Sequence, residues 1–515
     1  MHDFLCDASI PIFDADQGVT TLPGVLAALS AGRDLTFPGL AAHQRQPWFC
    51  FLVQLGALAL TAAELTSPPT DEGTWRNLLV ALAGPDADTA FALVVEDIAR
   101  PALLQPPVRT EAAWARYRGP VRQPDAIDIL ITAKNHDVKV ERLGQAAPHH
   151  WLYAFVTLQT MQGFLGRGNY GIARMNGGFS SRLFVDRVGG TGWAGRFCRD
   201  LHLLLARRGK LLDDYPDYFE STDGLGLLWL RPWDDEAAID LAELDPYFIE
   251  VCRRIRLVSS GGRIGAMLRP SEGPRIAAAA AKGNVGDPWA PVDTRNGTAV
   301  TIPASGFDYR RVVQILTNPA GLPPSLAADK DDPDDELDLH FAVMVRGQGK
   351  TDGLHERLVP VSRSLADRFA DERMGERLKF LSATMLDDVG KRTVPALRLA
   401  LRSYLQGGPE KIKFDDDRAD AYVDAFDRDV DGMFLDHLWR RAEAVGDGET
   451  EEQAWSGALV AAAKRRFRDG LAGLPVPTDR RERARETAEG LFYGVLRKHL
   501  PKAFPAHPQE ERVDE

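Results

Sequence analysis

WLYAFVTLQTMQGFLGRGNYGIARMNGGFSSR, from Trp151 to Arg182, joins an apolar helix to a basic, glycine-rich segment. Trp151, Ala154, Phe155, Leu158 and Met161 recur at helical spacing, so Trp151–Gln162 is predicted to be a helix with one face in the core. Behind it, Asn169–Arg182 packs glycines, amides and arginines into fourteen positions. Glycine lets the main chain approach a ligand and adopt positive φ; Arg174 and Arg182 can neutralise phosphate, and Asn169 and Asn176 can donate to oxygens or base edges. Two readings stand: a tight turn, or a backbone surface facing a polyanion. Gly166, Gly168 and Gly171 spell G-x-G-x-x-G, but a helix precedes them where a dinucleotide site requires a strand, so the match is accidental.

Working outward, the N-terminal side shows a strand at Ser9–Phe13, a turn at Asp14–Gly18 and a helix at Leu22–Leu29. Trp48–Leu65 is predicted as a buried helix. Its most apolar run, Trp48–Ala63, contains Gln54 and falls short of the roughly 20 residues that cross a bilayer. A proline-spaced region from Ser67 to Val108 holds another helical stretch. Ile127–Thr132 alternates as a strand and leads into a polar loop, Ala133–Pro148. Short strands follow at Leu227–Leu230, Val300–Ile302 and His340–Val345.

Beyond Ser362 the pattern is helical throughout. Four segments can be drawn, Ser362–Leu405 (interrupted near Gly390), Asp417–Ala444, Glu451–Leu471 and Arg480–His499. Tyr422, Phe426, Val430, Met433, Phe434 and Leu438 form one apolar stripe, and Ala484, Ala488, Leu491, Phe492, Val495 and His499 another. Thr450 with Gln453, and Asp479 with Glu482, have capping-box spacing. The short connections Val445–Glu449 and Ala472–Thr478 favour antiparallel neighbours. The predicted fold class is α+β: a large mixed α/β N-terminal domain, residues 1–361, then an all-α four-helix bundle, residues 362–515.

A chain of 515 residues with 44% apolar content can fill more than one core. A net charge of −12 argues against indiscriminate coating of nucleic acid but leaves room for a local basic groove. Cys6, Cys50, Cys198 and Cys252 are far apart and form no CxxC pair, which predicts buried, reduced thiols. The start, Met-His-Asp-Phe-Leu-Cys-Asp, lacks the pattern of a signal peptide, so a cytoplasmic location is expected.

The sequence contains no GxxxxGK[ST] loop, HExxH helix, GxSxG elbow or paired CxxC framework. No catalytic residue, metal or cofactor is expected. His136-Asp137 lacks the further ligands a metal-dependent nucleic-acid hydrolase needs, yet it defines the alternative function. The acidic run Asp329, Asp331, Asp332, Asp334, Asp335 and Glu336 lacks calcium-loop spacing and reads as a solvated loop. Four loops do mix basic, amide and glycine residues: Lys134–Lys139, Asn169–Arg182, Thr294–Gly297 and Arg346–Thr351. Together they offer phosphate contacts from Lys and Arg and base-edge contacts from Asn, Gln or backbone, as a duplex reader requires.

These loops and their surroundings resemble the large subunit of the type I-E CRISPR surveillance complex, the CasA family of Cascade. The resemblance spans nearly the whole chain. It rests on Asp7–Ile12 with the Gly18 turn, Ile129–Asp137, the helix running into Gly163–Gly178, Leu227–Trp229 and the terminal helices. It implies a non-catalytic subunit that checks a short motif beside the target, the PAM, in double-stranded DNA while a guide RNA reads the rest. It further implies a glycine loop at Asn176, Gly177, Gly178, Phe179, Ser180 and Arg182, a basic finger near Arg295, and a wedge hairpin carrying Gln348, Gly349 and Lys350. Lys134, Asn135, His136 and Lys139 would meet the guide RNA 5′ end and its protein surroundings. The bundle would face the small subunits and displaced strand, and the subunit would dock a helicase-nuclease after R-loop formation. The backbone subunits and the guide 5′-end subunit complete the implied partners. Lys464, Arg465, Arg466, Arg468, Arg480, Arg481, Arg483 and Arg485 read either as a strand-binding region or as a solvated face balanced by Glu482, Glu486 and Glu489.

Overall fold

The computed structural model describes residues 2–14, 17–129, 146–177, 181–189, 192–234, 237–328, 336–347, 350–413, 417–444, 448–476 and 478–504. The fold is mixed α+β and divides into two compact units. One comprises the chain up to Phe307 with Ala320–Arg363; the other takes Asp308–Pro319 and the chain from Ser364. The helix Tyr309–Leu316 therefore packs with the C-terminal helices, although residues 1–361 read as one domain in sequence.

In the first unit the helix Arg45–Ala62 is buried from Gln46 to Leu60. A helix without a polar face must be surrounded, and Glu72–Ala83, Pro148–Met161 and Gly192–Asp214 pack around it. Gln54 is tolerated because its Nε2 donates to the carbonyls of Tyr247 (3.2 Å) and Phe248 (2.9 Å). The helix Leu22–Ser30 begins where Thr21 Oγ1 accepts from Gly24 N at 2.9 Å.

Small sheets line this helical core. Glu336–Gly347 is the central strand of three, antiparallel to both Leu183–Val188 and Lys350–Ser362. Arg263–Arg269 is central between Arg118–Val121 and Arg254–Ser260. Three sequence expectations fail here. The strand expected at Leu227–Leu230 is Leu225–Leu227, and Leu228–Leu230 is a 3-10 turn. Pro124–Ala126 is a 3-10 turn and Ile127–Ile129 forms no strand, because both isoleucines and Asp128 are buried in one irregular turn; residues 130–132 lie outside the described chain. The strand expected at Val300–Ile302 is Thr298–Ala299 instead. Cys50 and Cys252 are buried, whereas Cys6 is exposed and Cys198 half-buried; none is paired.

The second unit contains the expected helices with three changes. The first expected helix starts as the short helix Arg363–Ala366, separate from the helix that begins at Glu372. Glu372–Asp387 and Val394–Leu405 are joined by a π-turn, Asp388–Thr393, not broken at Gly390. The widened turn aims the buried Asp388 carboxylate at Trp455 Nε1 (3.0 Å), and Thr393 Oγ1 donates to the Asp388 carbonyl at 2.8 Å. The second expected helix divides into Asp420–Asp431 and Phe434–Glu443. Both capping boxes are absent: Glu449–Gly473 starts after Gly448 at φ 61°, with Thr450 already inside the helix, and Arg481–His499 starts after a 3-10 turn that contains Asp479. Phe467 stacks on Phe492 at 4.3 Å, Phe434 meets Trp455 edge-on, and Tyr309 lies 4.6 Å from Phe434. Tyr309–Leu316 thus adds a further helix to the four expected.

Candidate nucleic-acid interface

The helix Pro148–Met161 is buried from Trp151 onward, so it fixes the start of the glycine segment within the core. Gln159 Nε2 donates to the Leu104 and Arg253 carbonyls at 3.0 Å each, and its Oε1 accepts from Arg253 N at 2.8 Å. After Gln162 the chain folds back: Ile172 N donates to the Gln162 carbonyl at 3.1 Å. That return requires glycine at 171, where a Cβ would lie 2.8–3.0 Å from the backbone of Gly163 and Phe164.

The next residues are held from below. Glu250 accepts from the N–H groups of Ala173 (2.9 Å) and Arg174 (3.1 Å). The Arg174 guanidinium is buried, lies over the Phe248 ring at 4.0 Å and donates to the Phe248 carbonyl at 3.0 Å. Arg182 is likewise buried. Its Nε and Nη2 meet the Asp287 carboxylate at 2.6 and 3.2 Å. Burial opposes the charge on Asp287, but Arg182 and Arg174 outweigh it and hold the carboxyl below its ordinary range. Both arginines were expected to face phosphate; both are instead internal, and in this structure Arg182 is an anchor of the loop, not part of its surface.

Of the loop itself, Asn176 is half-buried and Gly177 is exposed at φ +54°, with its N–H on the Met175 carbonyl at 2.7 Å. Gly178, Phe179 and Ser180 lie outside the described residues. Gly283 forms the floor beneath Asn176. At φ +80°, a Cβ there would fall 2.5 Å from the Met175 carbonyl carbon, 2.8 Å from Asn176 N and 2.8 Å from Ala299 Cβ. The last contact brings in the small hairpin Val292–Asp293/Thr298–Ala299, whose turn carries Arg295. Arg295 is exposed, and Asp293 shapes the turn by accepting from Arg295 N (3.0 Å) and Asn296 Nδ2 (2.7 Å). Lys282, exposed and at φ 48°, is the cation adjoining Gly283 in the chain. Sequence reading missed it because Ala277–Lys282 looks like unremarkable helix former; nothing local marks the αL turn except the Gly283-Asn284 pair that follows.

The third element is the end of the long hairpin. A bulge between Val345 and Arg346 shifts the register so that Val345 faces Gly353 while Arg346 faces Thr351. Lys350 belongs to the second strand; Gln348 and Gly349 are outside the described residues, as are Lys134, Asn135, His136 and Lys139. Arg346 N donates to Ser181 Oγ at 3.1 Å, Arg346 Nη1 donates to the Ile129 carbonyl at 2.9 Å and bonds Thr351 Oγ1, and Thr351 Oγ1 donates to the same Ile129 carbonyl at 2.7 Å. Ile129 leads into one expected loop, Ser181 leaves another, and Arg346 and Thr351 close the third. The described flanks of all three meet at one residue, Arg346, through its backbone N–H and its guanidinium.

In the C-terminal unit the basic residues divide. Arg465 and Arg466 pair with Asp429, Arg466 also with Asp469, and Arg485 with Glu489. Arg468, Arg481 and Arg483 are exposed. Among the described residues no group of three His, Cys, Asp or Glu side chains is arranged to hold a metal ion, and no helix is long and apolar enough to cross a membrane.

No protein-family model and no curated protein matches the sequence. Solved structures do. CRISPR-associated protein Cse1 from Acidimicrobium ferrooxidans aligns with a TM-score of 0.63 at 14% identity, covering 98% of this chain and 99% of that one. Cse1 from Thermobifida fusca gives 0.63 at 13% identity and 98% of both chains, and Thermus thermophilus CasA (Cse1) gives 0.58 at 14%, over 96% of this chain and 99% of that one. From end to end, with its loops anchored on a buried sheet end, the chain has the Cse1/CasA fold.

Proposed function

We propose that this chain is the non-catalytic large subunit of a type I-E CRISPR surveillance complex, recognising the PAM in double-stranded DNA, helping to open the duplex and presenting the docking face for a helicase-nuclease. The observation that carries this is the meeting of three loop flanks at Arg346 in a chain with the Cse1/CasA fold. Asn176–Ser180 reads the minor-groove edge through its backbone. Lys282 or Arg295 supplies the adjacent cation, and Gln348–Lys350 forms the wedge. Minor-groove readout is degenerate, so backbone approach plus one cation accepts several PAMs. A wedge costs a few kcal/mol of unstacking per base step, which protein contacts and the growing heteroduplex offset. Lys134, Asn135, His136 and Lys139 meet the guide RNA end and neighbouring subunits. The alternative, hydrolysis through His136 and Asp137, draws no support from the fold.

The test is PAM-library binding by the reconstituted complex. Gly178→Asp is expected to abolish target binding by placing negative charge at the duplex edge; Gln348→Ala/Lys350→Ala is expected to retain initial binding and slow duplex opening. Unchanged binding, opening and PAM preference in both variants rejects the loop roles. Divalent-metal-dependent cleavage by the purified subunit, lost in His136→Ala, would favour the hydrolase.

A further inference from the structure

At one end of the sheet formed by Arg118–Val121, Arg263–Arg269 and Arg254–Ser260 lies a cleft of about 550 Å³. Strand pairing sets its basic wall. Val121 lies opposite Ala266, so Arg122 leaves its strand beside the start of Arg263–Arg269, and Ser260 pairs with Arg263 across the two-residue turn Gly261-Gly262. Arg122 and Arg263 both line the cleft, and both are exposed. Glu96 is the carboxylate on the same lining and is exposed as well. Among the described residues none of the three side chains has an ion-pair or hydrogen-bond partner. One exposed arginine assigns nothing, since water satisfies it. Two unpaired arginines and an unpaired carboxylate in the wall of a single concavity call for a ligand that carries anions and hydrogen-bond donors together.

A simple anion or an acidic peptide satisfies the arginines and is repelled by Glu96; a basic peptide does the reverse. A ribonucleotide strand offers both chemistries, phosphates for the arginines and a 2′-hydroxyl or exocyclic amine for the carboxylate. Val94, Pro148 and Ile264, all half-buried, add apolar lining for base and sugar. A concavity of this size admits one strand and not a duplex. We infer that this cleft binds single-stranded RNA, with Arg122 and Arg263 on two of its phosphates and Glu96 accepting from a ribose 2′-hydroxyl. The cleft stands on its own geometry; assigning the strand to the guide RNA rests on the proposed function. Its rim favours that assignment, because Ala146 and Pro148 line it where the segment carrying Lys134, Asn135, His136 and Lys139 rejoins the described chain.

Fluorescence anisotropy of the full chain with a labelled single-stranded oligoribonucleotide, against the deoxyribonucleotide of the same sequence, tests the cleft. Wild type is expected to bind the RNA about tenfold more tightly, as one hydrogen bond to a charged acceptor allows. Arg122→Gln/Arg263→Gln should reduce the slope of log affinity against log salt by about 1.4, two phosphates at about 0.7 each on a single strand. Glu96→Gln should bring the RNA-to-DNA ratio toward one without reducing that slope. All three side chains are exposed, so the thermal midpoints of the variants should match wild type and keep a binding change from being read as unfolding. No RNA binding by wild type, an unchanged slope in the double variant, or an unchanged RNA preference in Glu96→Gln overturns the site. Loss of subunit assembly in the double variant with RNA binding intact also overturns it, in favour of a peptide of mixed charge. In the reconstituted complex, the double variant is expected to be retained less well on the guide-bound remainder; equal retention overturns the guide assignment alone. Failure of the PAM-loop roles would appear separately, as an intact RNA response with unaltered target binding and PAM preference in Gly178→Asp.

Discussion

Arg182 and Arg346 stand at the same end of one sheet and are buried to the same degree, 4% exposed each. Arg182 closes in a two-pronged pair with Asp287 and lies 5.6 Å from the Trp289 ring; among the described residues the Arg346 guanidinium reaches only a carbonyl and a hydroxyl. The first is complete within the chain. The second has donors left over, and they lie where the loops depart. Burial alone therefore does not mark an arginine as structural or functional; what its unused donors face does. His149 shows a third solution. It sits half-buried beside His150, and burial with that neighbour's charge lowers it to about 4, so it gives up its proton where an arginine cannot.

The largest effect is expected from making the Arg182 region resemble the Arg346 region. Asp287→Ala leaves Arg182 buried and unpaired and should lower unfolding stability by about 3–5 kcal/mol in urea denaturation. A loss under about 1 kcal/mol would dissolve the contrast. Next, Gly283→Ala combines positive φ with a Cβ driven into Met175 and Asn176. It should cost about 1–3 kcal/mol in the same denaturation and weaken duplex binding of the assembled complex.

Acid should reveal the third solution. With His149 near 4 folded and about 6.5 unfolded, its contribution is complete above pH 6.5 and is lost as pH falls toward 4, because the unfolded chain takes up the proton first. His149→Gln should flatten stability over that window by about 1–2 kcal/mol, after allowance for partial exposure. The smallest stability change belongs to Lys282→Ala/Arg295→Ala, within about 0.5 kcal/mol, since both side chains are exposed. In the complex this double variant should reduce the salt slope of duplex binding by up to about two.

The helices were the most legible part of the sequence. The period of Trp151, Phe155 and Leu158 marks Pro148–Met161, although its burial extends around the whole helix because neighbours cover every side. The C-terminal stripes mark their helices too, but not their ends. Thr450 and Asp479 had the spacing of caps and are overruled by the turns that precede the helices, since a cap depends on the dihedral of a single residue. At the candidate interface, the glycines and the hairpin stand out in the sequence, whereas the partners that hold each arginine do not. Asp287 lies 105 residues from Arg182, Glu250 lies 76 from Arg174, and Ile129 lies 217 from Arg346. No local pattern encodes a pairing at that separation, and a basic residue in a loop looks the same whether it turns inward or outward.

The bulge near Arg346 carries one further consequence. Asp352 is an extra residue on one strand, so the last two rungs of the hairpin, Arg346/Thr351 and Gly347/Lys350, are phased independently of the ten rungs from Glu336/Ser362 to Val345/Gly353. In a plain ladder, a one-residue change in the turn would slide the pairing and exchange the inward and outward faces of the whole strand. Here the mismatch stops such a slip at the bulge. The tip behaves as an interchangeable head on a fixed stem: its residues can vary in type or number while Leu339, Phe341 and Val343 keep their places in the core.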